Sequence, residues 1–171
     1  MTDGAPVGSD TNALALRGKR ALVTGAGQRV GQAIALALGA QGMHVAVHYR
    51  ESRAGAEETA RKIRESGGSA VTLAADLKSR DEARTLVDRA VSELGGLDLV
   101  VPSAASFERV GLAEVDDAAW DRSLDLNLGS PFALVHQAVP ALRAARGSVV
   151  FVTCSSASVP MRNYLPYVVS K

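Results

Sequence analysis

Tyr167 and Lys171 stand four residues apart near the end of the 171-residue chain, in the stretch "NYLPYVVSK". On a helix that spacing puts them on one face. A free phenol has a pKa of about 10, too high for easy proton exchange at neutral pH. A nearby ammonium favours the phenolate and lowers that value, so the pair reads as a general acid for the oxygen of a carbonyl group. Tyr164 cannot take this part, because its fourth neighbour is Val168.

A second stretch, "TGAGQRVGQA" from Thr24 to Ala33, has the make-up of an anion cradle. Glycine permits positive φ and a close approach of backbone to phosphate, and Gly25 and Gly31 frame the turn. The helix expected from Val30 offers unpaired N–H groups and a positive dipole end. Gly27 reads as incidental, and Arg29 places a cation where a cramped turn would favour glycine. Farther on, "VHYR" closes an apolar run with Tyr49 and Arg50. An acid at that place suits the ribose diol of NAD, whereas a neutral residue followed by arginine suits the extra phosphate of NADP.

These residues need a scaffold that gathers them, and the alternation of the chain supplies one. Short apolar runs at 20–25, 43–49, 70–76, 97–102 and 147–153 predict strands. Between them, 30–41, 53–66 and 79–94 have helical spacing, the last two closed by glycine pairs. A long helical region over 116–145 is expected to break near Gly129-Ser130-Pro131 and again at Pro140. Five strands alternating with helices predict an α/β fold, a parallel sheet covered on both faces. Ligands on such sheets bind beyond the carboxyl ends of the strands, where the unusual residues fall.

Composition sets the frame. Nineteen basic and eighteen acidic residues give a net charge of +1, which argues against a nucleic-acid or membrane-surface partner. No apolar run is long enough to span a bilayer. Cys154 is the one cysteine, so no internal disulfide forms, and a reducing, cytoplasmic setting is expected. Residues 1–17 read as a disordered leader and 18–171 as one domain.

"VTGAGQRVGQAIA" resembles the T-G-x-x-x-G-x-G loop of the short-chain dehydrogenase/reductase family, and Arg29 in place of the middle glycine resembles its pteridine reductase branch. The resemblance runs from Lys19 to Lys171 and implies a Rossmann-type, doubly wound three-layer α/β/α fold lacking the family's last strands. It implies an NADP(H)-dependent reductase, with Tyr167 as acid/base and Lys171 beside it. Asn127, in "WDRSLDLNLGSPF", would hold a water in a proton relay with the lysine. Asp76 and Leu77 would contact the adenine, Ser52 would join Tyr49 and Arg50 around the phosphate, and Val30 and Ala104 would complete the cofactor wall. Asp76 is also suited to capping the helix that starts near Ser79. No metal site is implied.

The chain departs from the family's pattern in two places. Thirteen residues before Tyr167, where the family has its catalytic serine, stands Cys154, followed by Ser155. A thiol donates hydrogen bonds weakly, so either Ser155 shifts into the role, or Cys154 serves poorly, or Tyr167 acts alone. "VVPSAAS" also stands where the family has N-N-A-G or N-N-A-S, which removes two asparagines that support the central strands. Family members continue beyond the catalytic lysine, so the sequence is expected to be a piece of a longer, homo-oligomeric reductase. The substrate class implied is a small carbonyl or pterin-like imine, with Phe107 suited to stacking on a ring. A 3-oxoacyl-carrier-protein reductase activity and a non-catalytic nucleotide-binding module are the alternatives.

Overall fold

The computed structural model describes residues 16–171. Positions 1–15 of the expected leader lie outside the described residues, whereas Leu16 packs against the core. The elements are β1 (Arg20–Val23), α1 (Arg29–Ala40), β2 (His44–Tyr49), α2 (Arg53–Glu65), β3 (Ser69–Ala74), α3 (Arg80–Leu94) and β4 (Leu99–Val101). They continue with α4 (Asp117–Leu124), a π-helical turn (Asp125–Gly129), α5 (Ser130–Ala145), β5 (Ser148–Val149), a 3-10 turn (Ser155–Ala157) and α6 (Leu165–Ser170).

All strands run parallel in the order β3-β2-β1-β4-β5. The order reverses between β1 and β4, and a cleft opens beyond that point in doubly wound sheets. Side chains alternate across the strands. Leu22, Leu73 and Val100 face Leu86, Val87, Leu134 and Leu142 of α3 and α5. Ala21, Val23, Val45 and Val47 face Ala35, Ala56, Ala60 and Ile63 of α1 and α2. Each fully buried leucine or valine contributes about 1.5–3 kcal/mol, so both faces of the central strands are well anchored. At the amino-terminal edge, Asp98 accepts from the Arg20 side chain at 2.6 Å, the Arg20 N–H at 3.1 Å and the Lys19 ammonium at 3.2 Å.

Three expectations change. Pro140 does not interrupt α5, because it lies on the exposed side, where the carbonyl left without its N–H partner is open to water. The break expected at Gly129-Ser130-Pro131 is instead a π turn: the Ser130 N–H bonds back five residues to the Asp125 carbonyl, just before Pro131, which has no N–H. That extra residue turns Asn127 inward, where it is buried. The fifth strand spans two residues rather than seven, because β5 is paired on one side only, and β4 ends at Val101, ahead of Pro102.

Candidate active site

A cleft of about 880 Å³ runs over the carboxyl ends of β1, β2 and β4 and reaches Tyr167. Gly25, Arg29, Val30 and Gly31 line one end of it, Tyr49, Arg50 and Ser52 the adjoining wall, and Leu77 and Ala104 the floor. Cys154, Tyr167 and Lys171 line the other end. The glycines are fixed by geometry. Gly25 has φ +65°, and a Cβ there would stand 3.0 Å from the Ala104 Cα. A Cβ on Gly31 would run into the Gly25 carbonyl oxygen. Gly27 is not incidental: its Cβ would meet the Ser52 carbonyl at 3.0 Å, so its absence lets the loop seat on the start of α2.

Arg29 takes the left-handed conformation, φ +53°, which accounts for glycine being the ordinary occupant of that place. An arginine there costs roughly 1–2 kcal/mol, and the guanidinium forms no ion pair among the described residues. No acidic residue stands in the first turn of α1, which leaves that helix end open to an anion. Arg50 pairs with Glu51, whose carboxylate is itself 79% exposed. Exposed pairs of this kind are worth about 0–1 kcal/mol, so a phosphate can displace it.

The loop after β4 is pinned by the buried Thr24. Its Oγ1 accepts from the Ser103 N–H at 2.9 Å and the Ala104 N–H at 3.0 Å. Asp76 does not line the cleft: its carboxylate accepts from the Lys78 N–H, and its own N–H donates to Glu82. Ser79, rather than Asp76, caps α3 by accepting from the Glu82 N–H.

At the reaction end, Tyr167 is 9% exposed. Burial, together with the Cys154 thiol beside it, raises the phenol to about 12, the opposite of the lowering expected from Lys171. The lysine is drawn below its ordinary value by burial, and its Nζ donates to the Val152 carbonyl at 3.2 Å while lying 5.9 Å from the Tyr167 ring centre. Cys154 falls to about 7, through Ser156 first and then the Tyr167 hydroxyl. It lines the cleft, whereas Ser155 is exposed in the 3-10 turn and does not. Asn127 accepts from the Ser106 N–H at 2.8 Å and donates to the Ser170 hydroxyl at 2.8 Å and the Ser106 carbonyl at 3.2 Å. Both amide hydrogens are therefore engaged in joining the loop after β4 to α6. Phe107 stacks on Tyr164 at 4.4 Å and meets Tyr167 edge-on at 4.7 Å, so one of its faces is already covered.

A glycine cradle at the switch point, continuous with a buried tyrosine and a half-buried lysine, belongs to a doubly wound α/β fold of the dinucleotide-binding kind. The family model described as short chain dehydrogenase matches residues 19–171, and the chain belongs to that family. It is 36% identical over 144 residues to versicolorin reductase stcU of Emericella nidulans, covering 84% of this chain and 54% of that protein. To 3-oxoacyl-[acyl-carrier-protein] reductase FabG of Staphylococcus aureus it is 31% identical over 154 residues, covering 90% and 63%. Among solved structures, landomycin C-6 ketoreductase LanV with bound NADP and rabelomycin superposes with a TM-score of 0.86 at 33% identity, covering 91% of this chain and 66% of that one. The chain thus spans between half and two thirds of the length of these relatives.

Proposed function

We propose that this cleft binds NADP(H) and that the protein reduces a ketone carbonyl with Tyr167 as the proton donor. The observation that carries the reading is the continuity of one cleft from Arg29 and Arg50 to Tyr167. The group fits the residues present, because Cβ-free Gly25 and Gly31 leave a tight turn at an acid-free helix start and two arginines stand within reach of a ribose phosphate. Gly25, Gly31 and the start of α1 would hold the pyrophosphate, Arg50 and Arg29 the additional phosphate, and Leu77 and Ala104 the adenine and nicotinamide sides. Bound there, the reduced nicotinamide supplies a hydride.

The chain's own part is proton supply. The phenol, raised to about 12 by burial and the Cys154 thiol, keeps its proton at pH 7, and its transfer to a developing alkoxide draws on positive charge brought beside it. Lys171 adds positive charge below the ring, and Asn127 holds α6 against the loop after β4. Cys154 occupies the second-donor place and serves it weakly. A ketone is the leading substrate class, supported by the likeness to the C-6 ketoreductase LanV. A 3-oxoacyl thioester is the second reading, favoured by the likeness to FabG. A pterin remains a test compound, since Arg29 matches that dialect of the loop but Tyr164 covers one face of Phe107.

The test is oxidation of NADPH with an aromatic ketone, a 3-oxoacyl thioester and a dihydropterin in parallel, for wild type and Tyr167→Phe. Turnover of the ketone that disappears in the variant, with NADPH affinity kept, is the expected result. Equal turnover by the variant would remove Tyr167 from the mechanism.

A further inference from the structure

His48 is a buried titratable side chain at the end of β2 that proton transfer leaves unused. Its Nδ1 lies 3.1 Å from the Gly25 nitrogen, and its Nε2 lies 3.1 Å from the Ala75 carbonyl oxygen. A backbone N–H only donates and a carbonyl only accepts, so the ring's two roles are fixed: Nδ1 is bare and Nε2 carries the proton. Burial holds its pKa down to about 4, against the pull of the Ala75 carbonyl and the Asp76 charge, and the ring is neutral at pH 7. The His48 backbone carbonyl accepts in addition from the Ala26 N–H at 2.9 Å. One residue thus holds two consecutive N–H groups of the glycine loop and ties them to the end of β3.

Thr24 pins the other side of the same turn through the loop after β4, and the Gly25 Cα faces Ala104. The Gly25 peptide is therefore clamped between β2 and β4, and His48 supplies the only side-chain acceptor for its N–H among the described residues. We infer that His48 is a positioning residue for cofactor binding: its bare Nδ1 sets the orientation of the Gly25 peptide, on which the shape of the phosphate cradle depends. The inference rests on the NADP(H) reading of the cleft.

Two substitutions separate positioning from plain stability. In His48→Asn the amide oxygen replaces Nδ1 and still accepts from Gly25, while the bond to Ala75 is lost. In His48→Gln the amide nitrogen replaces Nε2 and still donates to Ala75, while the Gly25 N–H is left without an acceptor. Each variant loses one buried hydrogen bond, so their urea midpoints should fall by similar amounts. NADPH affinity, read by fluorescence titration, should instead split: within about threefold of wild type for His48→Asn and roughly tenfold weaker for His48→Gln. In wild type, exchange of the Gly25 amide should slow when NADPH saturates the protein, a readout that needs no variant to fold. Affinities that follow the urea midpoints, or Gly25 exchange indifferent to NADPH, would overturn the inference while leaving the cofactor reading intact. Failure of wild type to bind NADPH would overturn both.

Discussion

The two ends of the cleft are built differently. The glycine loop follows β1, which is paired on both sides, by β2 and by β4. Thr24, Gly25 and Ala26 are each held by a bond to a neighbouring strand end or the loop beyond it. The reaction end follows β5, the edge strand, with two paired residues, and residues 150, 151, 159 and 161 expose large apolar side chains around it. Tyr167 rides on a six-residue helix and Lys171 follows its last residue, and their ties to the rest run through Asn127, the Val152 carbonyl and α4. On the proposed function, cofactor recognition is embedded in the middle of the sheet, and chemistry is hung from its margin.

The contrast can be broken first where the expected effect is largest. Tyr167→Phe removes the phenolic proton and should lower turnover by roughly a hundredfold to ten-thousandfold, with NADPH affinity within about twofold because the loop is untouched. Steady-state rates and a binding titration check both halves of that statement. Gly31→Ala should do the reverse. A methyl group against the Gly25 carbonyl costs about 3 kcal/mol, and both the unfolding midpoint and NADPH binding should fall together. Retained NADPH binding in that variant would show that the loop is less rigid than its packing implies.

Asp98→Asn tests the base of the central strands. It leaves Lys19 and Arg20, both partly exposed, without their carboxylate and should cost about 1–2 kcal/mol at pH 7. Burial alone would raise the Asp98 carboxyl, but its bonds from Arg20 and Lys19 prevail and hold it below the ordinary 3.8. A depressed carboxyl stabilises the fold above its unfolded pKa, and this contribution disappears as pH falls through the folded value. The deficit of the variant should therefore shrink as pH falls below the ordinary 3.8, as followed by urea unfolding at each pH.

The smallest effect concerns Cys154. A thiol near 7 becomes thiolate as pH rises, and that charge develops beside the Tyr167 hydroxyl. Wild-type turnover should decline above pH 7, whereas Cys154→Ser should hold its rate and exceed wild type by a few-fold, about 1 kcal/mol, at pH 8. Superimposable pH profiles would show that the thiol does not face the reacting oxygen.

The same contrast governs what could be read from the sequence. Alternating apolar runs and glycine stops gave the strand count, the helices and the parallel sheet, because those patterns follow from local periodicity. Gly25, Gly31 and Arg29 were legible because a turn into a helix imposes backbone demands that few residue types meet. Gly27 was misread, since its need for a bare Cα comes from Ser52, a tertiary contact. His48 was read only as part of "VHYR", without a role, because a histidine in an apolar strand carries no local sign of which peptide its ring will hold. The tyrosine–lysine spacing spans a helix that ends at Ser170, one residue before the lysine, and the direction of the phenol's pKa runs against the expectation. Burial and Cys154 dominate it, and the lysine amine is turned to the Val152 carbonyl. Asp76 looked like both a ligand contact and a cap, and the capping atom proved to be the Ser79 hydroxyl.

The central claim is that the cleft selects the phosphorylated dinucleotide through Arg50, and paired titrations of NADPH and NADH on wild type and Arg50→Ala test it most directly. Wild type should favour NADPH, and the variant should bind NADPH about tenfold more weakly with NADH changed by less than about twofold. Equal losses for the two cofactors, or a wild type indifferent between them, would contradict the account.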